Sequence, residues 1–113
     1  MEIEMPHSEK VGVVVYTKTK NPGALIARWT YGIGYFGSGL ATGGPIDNFE
    51  GNFHVRYFIE DGTFANEFDL EIVKADTFYE LTWRVDGVIK AHGVGMLVDE
   101  EASLAVGWRA VGE

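Results

Sequence analysis

The segment NFHVRYFIEDGTFANEFDLE, residues 52–71, constrains the fold more than any other stretch of the chain. Its side chains alternate with a period of two. Phe53, Val55, Tyr57 and Ile59 share one face, with His54, Arg56 and Phe58 on the other. After the turn, Phe64, Phe68, Leu70 and Ile72 alternate with Ala65, Glu67, Asp69 and Glu71. Successive residues of a strand point to opposite faces, so this pattern reads as two half-buried strands. Asp61-Gly62 lies between them and is a favoured centre for a two-residue hairpin turn, whose central positions need a positive φ. That turn pairs Ile59 with Phe64, Val55 with Phe68 and Phe53 with Leu70 on the apolar side. On the polar side it sets Arg56 against Glu67 and His54 against Asp69. Both faces make chemical sense in one register.

The same alternation predicts strands over 11–19, 23–31, 34–42, 77–85, 88–98 and 103–110. Asn21-Pro22-Gly23, Gly43-Gly44-Pro45, Asp86-Gly87 and Asp99-Glu100-Glu101 separate them. No window of helical length shows a 3.6-residue period, and the only room for a helical turn is around 45–49 or 73–77. Short connections between successive strands dictate an antiparallel meander. A meander of about eight strands closes into a small barrel, which also removes its exposed edges. The fold class expected is therefore an all-β, antiparallel up-and-down barrel. With 113 residues it forms a single domain spanning 1–113, in which 1–9 read as a flexible lead.

Composition removes several functions. The net charge of −8 argues against nucleic acid and against anionic membrane surfaces, both of which need clustered Lys and Arg. With no cysteine there is no disulfide, thiol nucleophile or cysteine metal site. The opening MEIEMPHSEK lacks the basic-then-apolar order of a secretory leader, and no apolar run approaches the roughly 20 residues of a membrane helix. A cytoplasmic protein is expected, with no cofactor. The candidate partners are a small apolar ligand and a second copy in a homodimer.

The stretch GIGYFG, residues 32–37, fits the dinucleotide-binding pattern G-x-G-x-x-G. That fingerprint requires its glycines to end a strand and open a helix. The next residues, Ser38-Gly39-Leu40-Ala41-Thr42-Gly43-Gly44-Pro45, cannot start a helix. Gly32 and Gly34 instead read as a hairpin turn, with Gly37 and Gly39 letting the returning strand bend or bulge. Residues 79–96 echo 25–40: a strand ending in tryptophan, a turn with glycine, and a returning strand with Gly-x-Gly.

In that second hairpin, a two-residue Asp86-Gly87 turn pairs Val85 with Val88, Trp83 with Lys90, Leu81 with His92 and Tyr79 with Val94. Tyr79, Leu81, Trp83 and Val85 form the apolar face, so Lys90 and His92 would also point inward. Buried there, they would need a partner or a ligand such as a carboxylate, or would carry out proton transfer. A bulge or a longer turn would flip both outward and give Ile89, Ala91 and Leu97 to the core. Tyr57 and Asn66 face each other on the inner side of the first hairpin. They either orient a ligand's polar group or satisfy each other by a hydrogen bond. His54 and Arg56 with Glu67, Asp69 and Glu71 read as outer cross-strand ion pairs, or as an incomplete metal shell from His54, Asp69 and Glu71. Trp29, Trp83 and Trp108 sit near strand ends, as core residues or as a stacking surface.

The run YELTWRVDGVIKAHGVGMLVDEEASLAVGW, residues 79–108, resembles short lipocalin-like (calycin) barrels, with strand, tight turn, strand with glycine, and return toward a tryptophan. The Gly-x-Trp that opens lipocalins is absent from 1–15, so no functional residue carries over by motif. The resemblance implies an up-and-down barrel whose interior holds a small apolar molecule. The function expected is non-enzymatic binding of a small apolar or aromatic ligand by Tyr57, Asn66, Tyr79, Trp83, Lys90 and His92. The alternatives are a barrel enzyme using acid–base chemistry at His92, although no catalytic motif is recognisable, and a packed barrel acting through oligomerisation on faces such as Ile89, Leu97 and Phe58.

Overall fold

The structure, a computed structural model, describes residues 11–32, 34–45 and 47–111. The strands are β1 (Val11–Lys18), β2 (Leu25–Tyr31), β3 (Tyr35–Thr42), β4 (Gly51–Ile59), β5 (Phe64–Ala75), β6 (Phe78–Val85), β7 (Val88–Val98) and β8 (Ser103–Ala110). Each pairs antiparallel with the next, and β8 returns to β1 to close the barrel. There is no helix among the described residues, so none is long and apolar enough to cross a membrane. The segment 73–77 completes β5 and turns at Asp76 (φ 56°) instead of coiling.

Turn chemistry explains the meander. Asp86 and Gly87, at φ 51° and 80°, make the tight β6–β7 turn that the left-handed region permits. Gly32 and Gly34, at φ 64° and 119°, flank the β2–β3 turn. The GIGYFG glycines are thus a turn followed by a strand, without a helix. β3 itself runs regularly against both neighbours, so Gly37 and Gly39 make no bulge. Their missing side chains leave space for rings: a Cβ on Gly37 would lie 2.7 Å from Trp29, and one on Gly39 would lie 2.8 Å from Tyr57.

Bulges occur in the other two hairpins, and each corrects an expected register. In β4–β5, Phe53 pairs with Leu70, Val55 with Phe68, His54 with Asp69 and Arg56 with Glu67, as the alternation requires. Tyr57 opposes Asn66, but Phe58 opposes Phe64 and Ala65 is left over, so Ile59 does not face Phe64. The turn closes through Ile59 N–H to Thr63 O at 2.9 Å and Gly62 N–H to Ile59 O at 2.8 Å. In β6–β7, Val85 pairs with Val88 and Arg84 with Ile89, and then Trp83 pairs with Ala91, leaving Lys90 as the extra residue. Beyond it every pairing moves by one, so His92 faces Thr82, and Tyr79 faces Gly95.

The consequence is a sorting of side chains. Lys90 and His92 are exposed on the outer wall, which corrects their expected inward position, and Ala91 and Gly95 face the core. A lysine and a histidine against the core would each carry an unpaired polar group, and one bulged residue avoids both. Ile89 remains exposed and Leu97 is half-buried against the core.

The barrel ends differ. At the end bearing the β1–β2, β3–β4, β5–β6 and β7–β8 connections, Phe49 of the β3–β4 loop is buried and acts as a plug beside Phe53 and Leu25. Lys18 holds that loop by donating from Nζ to Asp47 O at 3.0 Å, with its ammonium over the Phe49 ring at 5.1 Å. On the outer wall Val13, Phe78, Val94 and Met96 line a shallow groove across β6, β7, β8 and β1, with Val94 58% and Met96 60% exposed.

Candidate functional site

Because the strands alternate in direction, β2, β4, β6 and β8 all finish at the unplugged end. Each carries a large aromatic residue two positions before its last residue: Trp29, Tyr57, Trp83 and Trp108. Two positions preserve the inward side of the pleat. Closure therefore gathers these four rings into a collar inside the rim, and all three tryptophans of the chain belong to it.

The collar surrounds a cavity of about 170 Å³. Val14, Tyr57, Trp83 and Ala91 line its buried part, and Ala65 and Asn66 stand exposed at its mouth, so among the described residues it is open at this end. The rings brace one another. Trp29 meets Tyr57 edge-on at 6.4 Å, Phe68 meets Tyr57 edge-on at 5.9 Å, and Tyr31 stacks on Trp108 at 4.7 Å. Trp83 and Trp108 lie 6.1 Å apart across β7. Gly12 on β1 lets the Trp108 ring lie directly on the strand.

Among the described residues, the buried part of the cavity wall has one polar centre. Trp83 Nε1–H donates to Tyr57 Oη at 2.8 Å, and Tyr57 Oη shares a short hydrogen bond with Tyr16 Oη. Burial pushes the Tyr57 hydroxyl up to about 12. Burial also holds Tyr16 well above its ordinary value, assisted by the charge and hydrogen bond of Tyr57. Both phenols are therefore neutral at physiological pH. The Trp29 indole N–H is taken by Ser38 O at 2.8 Å. Among the described residues, no Asp, Glu, Lys, Arg or His lines the cavity.

The structure brings Tyr57, Asn66 and Trp83 of the expected binding set together at this cavity. Tyr57 and Asn66 sit opposite each other, but the Tyr57 hydroxyl bonds inward to Tyr16 and Trp83 instead of to the exposed Asn66. Tyr79 is buried yet lies toward the plugged end, away from the cavity. Lys90 and His92 are on the outside, where His92 Nδ1 is 3.4 Å from Thr82 Oγ1. No protein-family model, curated protein or solved structure matches this chain.

The polar face of β4–β5 forms a separate cluster. His54 contacts Glu67 through Nε2 at 2.9 Å and Asp69 through Nδ1 at 3.4 Å. Arg56 Nε is 3.8 Å from the same Glu67, while Glu71 turns to Arg84 at 3.0 Å. With Glu71 bound to Arg84, the shell of His54, Asp69 and Glu71 does not assemble. No group of three metal-ligating side chains forms among the described residues. His7 lies outside the described residues.

The site residues outside the expected binding set are Trp29, Tyr31, Phe68 and Trp108 on the ring wall, with Val14 and Ala91 behind; of these, alternation places Phe68 on the inner face, and the sequence offers Trp29 and Trp108 as core or stacking residues. Their signal is present in the meander itself. Once even-numbered strands are known to end at one rim, the aromatic two places before each end marks the site.

Proposed function

We propose that the barrel binds one small, neutral, single-ring molecule in the cavity between Trp29, Tyr57, Trp83 and Trp108, without transforming it. The observation that carries this reading is the aromatic collar contributed by all four even-numbered strands around an open cavity. Its size fits, since a dry apolar cavity of about 150 Å³ holds benzene. Aromatic walls favour a planar guest by offset and edge-to-face contacts. The uncharged lining favours a neutral guest, because a buried unpaired charge is costly. The likeness of 79–108 to calycin barrels supports the same reading. The acid–base alternative loses His92 and Lys90 to the outer wall, and the packed-barrel alternative meets an interior that is open at one end.

Ala91 is a small buried residue on the cavity wall, so Ala91→Leu fills the space without adding a polar atom. In calorimetric titration the parent protein takes up one toluene per chain, and Ala91→Leu weakens the uptake by about tenfold or more. Equal affinity in parent and variant would place the guest elsewhere, and absence of heat in the parent would overturn the proposal.

A further inference from the structure

The hydrogen count at the polar centre constrains the guest. Tyr16 and Tyr57 each carry one hydroxyl hydrogen, and the two oxygens share a single contact. Only one hydrogen can lie along that line. The third member, Trp83, is a donor and takes up no hydroxyl hydrogen. One hydroxyl hydrogen is therefore left without a protein acceptor among the described residues.

Burial decides which one is left. Tyr16 is fully buried and does not line the cavity, so a spare hydrogen there would face packed side chains. Tyr57, 9% exposed, lines the cavity. The stable arrangement has Tyr16 donating to Tyr57. Tyr57 Oη then accepts from both Tyr16 and Trp83, and its own hydrogen turns to the cavity. Accepting two hydrogen bonds polarises a hydroxyl and makes it a stronger donor.

We infer that the guest carries a neutral hydrogen-bond acceptor, a carbonyl oxygen in the first instance, that takes the hydroxyl hydrogen of Tyr57. This rests on the cavity being the binding site proposed above. The other lining donors do not compete at depth. The Trp29 N–H is held by Ser38, while the Tyr31 hydroxyl, the Trp108 N–H and the Asn66 amide belong to half-exposed or exposed side chains. A carboxylate is disfavoured, since no cationic side chain among the described residues lines the cavity and the chain carries a net charge of −8. The ligand class is thus a small aromatic ketone, aldehyde or amide.

The test compares acetophenone with α-methylstyrene, in which CH₂ replaces the carbonyl oxygen, and with benzoate. In Tyr57→Phe the affinity for acetophenone relative to α-methylstyrene falls by about two- to tenfold, the worth of one neutral hydrogen bond. His92→Ala, on the outer wall, keeps the parent ratio, because it leaves the Tyr57 hydrogen and both hydrogen bonds to Tyr57 Oη in place. Benzoate binds weakest of the three. The infrared carbonyl stretch of acetophenone bound to the parent lies below its value in hexane, a reading that does not depend on Tyr57→Phe folding. If the ratio is unchanged in Tyr57→Phe, or the bound carbonyl vibrates at its hexane frequency, the acceptor inference falls while the cavity reading stands. If neither acetophenone nor α-methylstyrene binds, both fall together.

Discussion

Gly37 and Gly107 both lie within barrel strands and tolerate a methyl group very differently. A Cβ on Gly37 would run into the Phe58 carbonyl oxygen and crowd the Trp29 ring, whereas one on Gly107 meets nothing within 4 Å. Gly37→Ala is expected to cost about 1–3 kcal/mol, the usual penalty for overpacking. Gly107→Ala is expected to stay within about 0.5 kcal/mol of the parent. Urea unfolding of the two variants measures the difference. The third glycine of the nucleotide-like pattern thus leaves room for the Phe58 carbonyl of β4 and for the ring of the collar residue Trp29. At the same scale, Asp99, Glu100 and Glu101 turn β7 into β8 with φ of 56°, 53° and 73°, a conformation that side chains rarely adopt.

The hairpin is the element at which the chain's local signals succeed and then stop. Asp61-Gly62 with matched faces marks β4–β5, and Asp86-Gly87 marks β6–β7, because turn residues and alternation are local properties. The bulges at Ala65 and Lys90 have no local signature. The one at Lys90 answers to what would otherwise face inward, which is known only after closure, and the one at Ala65 offsets a turn longer by one residue, closed by Ile59 N–H to Thr63 O. A regular register misplaces Lys90 and His92 for the first of these reasons, and it places Tyr57 opposite Asn66 correctly because the bulge at Ala65 restores the register that a turn longer by one residue shifts. The outer face of β4–β5 also carries a pH dependence. His54 is raised above its ordinary 6.5 chiefly by its hydrogen bond to Glu67, then by that to Asp69. A raised folded-state value stabilises below the unfolded one, and that contribution is lost as pH rises through the folded value. Stability should thus decline as pH rises above the ordinary value of 6.5. The pair is about half exposed, which limits the change to about 0.5 kcal/mol or less. His54→Gln, followed by thermal unfolding across this rise in pH, should remove that slope.

For the whole molecule, closure converts a one-dimensional pattern into a site. The meander is legible from strand count and short connections, and the closed barrel follows from the need to cover edges. The cavity is not, because its wall joins strands far apart in sequence: Tyr31 of β2 stacks on Trp108 of β8, and Trp83 of β6 reaches the hydroxyl of Tyr57 on β4. Small residues oppose large ones around the ring, Gly37 and Gly39 on β3, Ala91 and Gly93 on β7. The echo between 25–40 and 79–96 thus corresponds to hairpins β2–β3 and β6–β7, each offering a tryptophan and a glycine-bearing strand beside it. With Phe49 buried at the other end, the cavity among the described residues is open at the collar end. The most direct test of binding in the collar is a crystal of the protein soaked in iodobenzene, with the iodine located by its anomalous scattering. One peak within the collar of Trp29, Tyr57, Trp83 and Trp108 is the expected result. Side chains filling that space, with iodine only in the outer groove of Val13, Val94 and Met96, would contradict it.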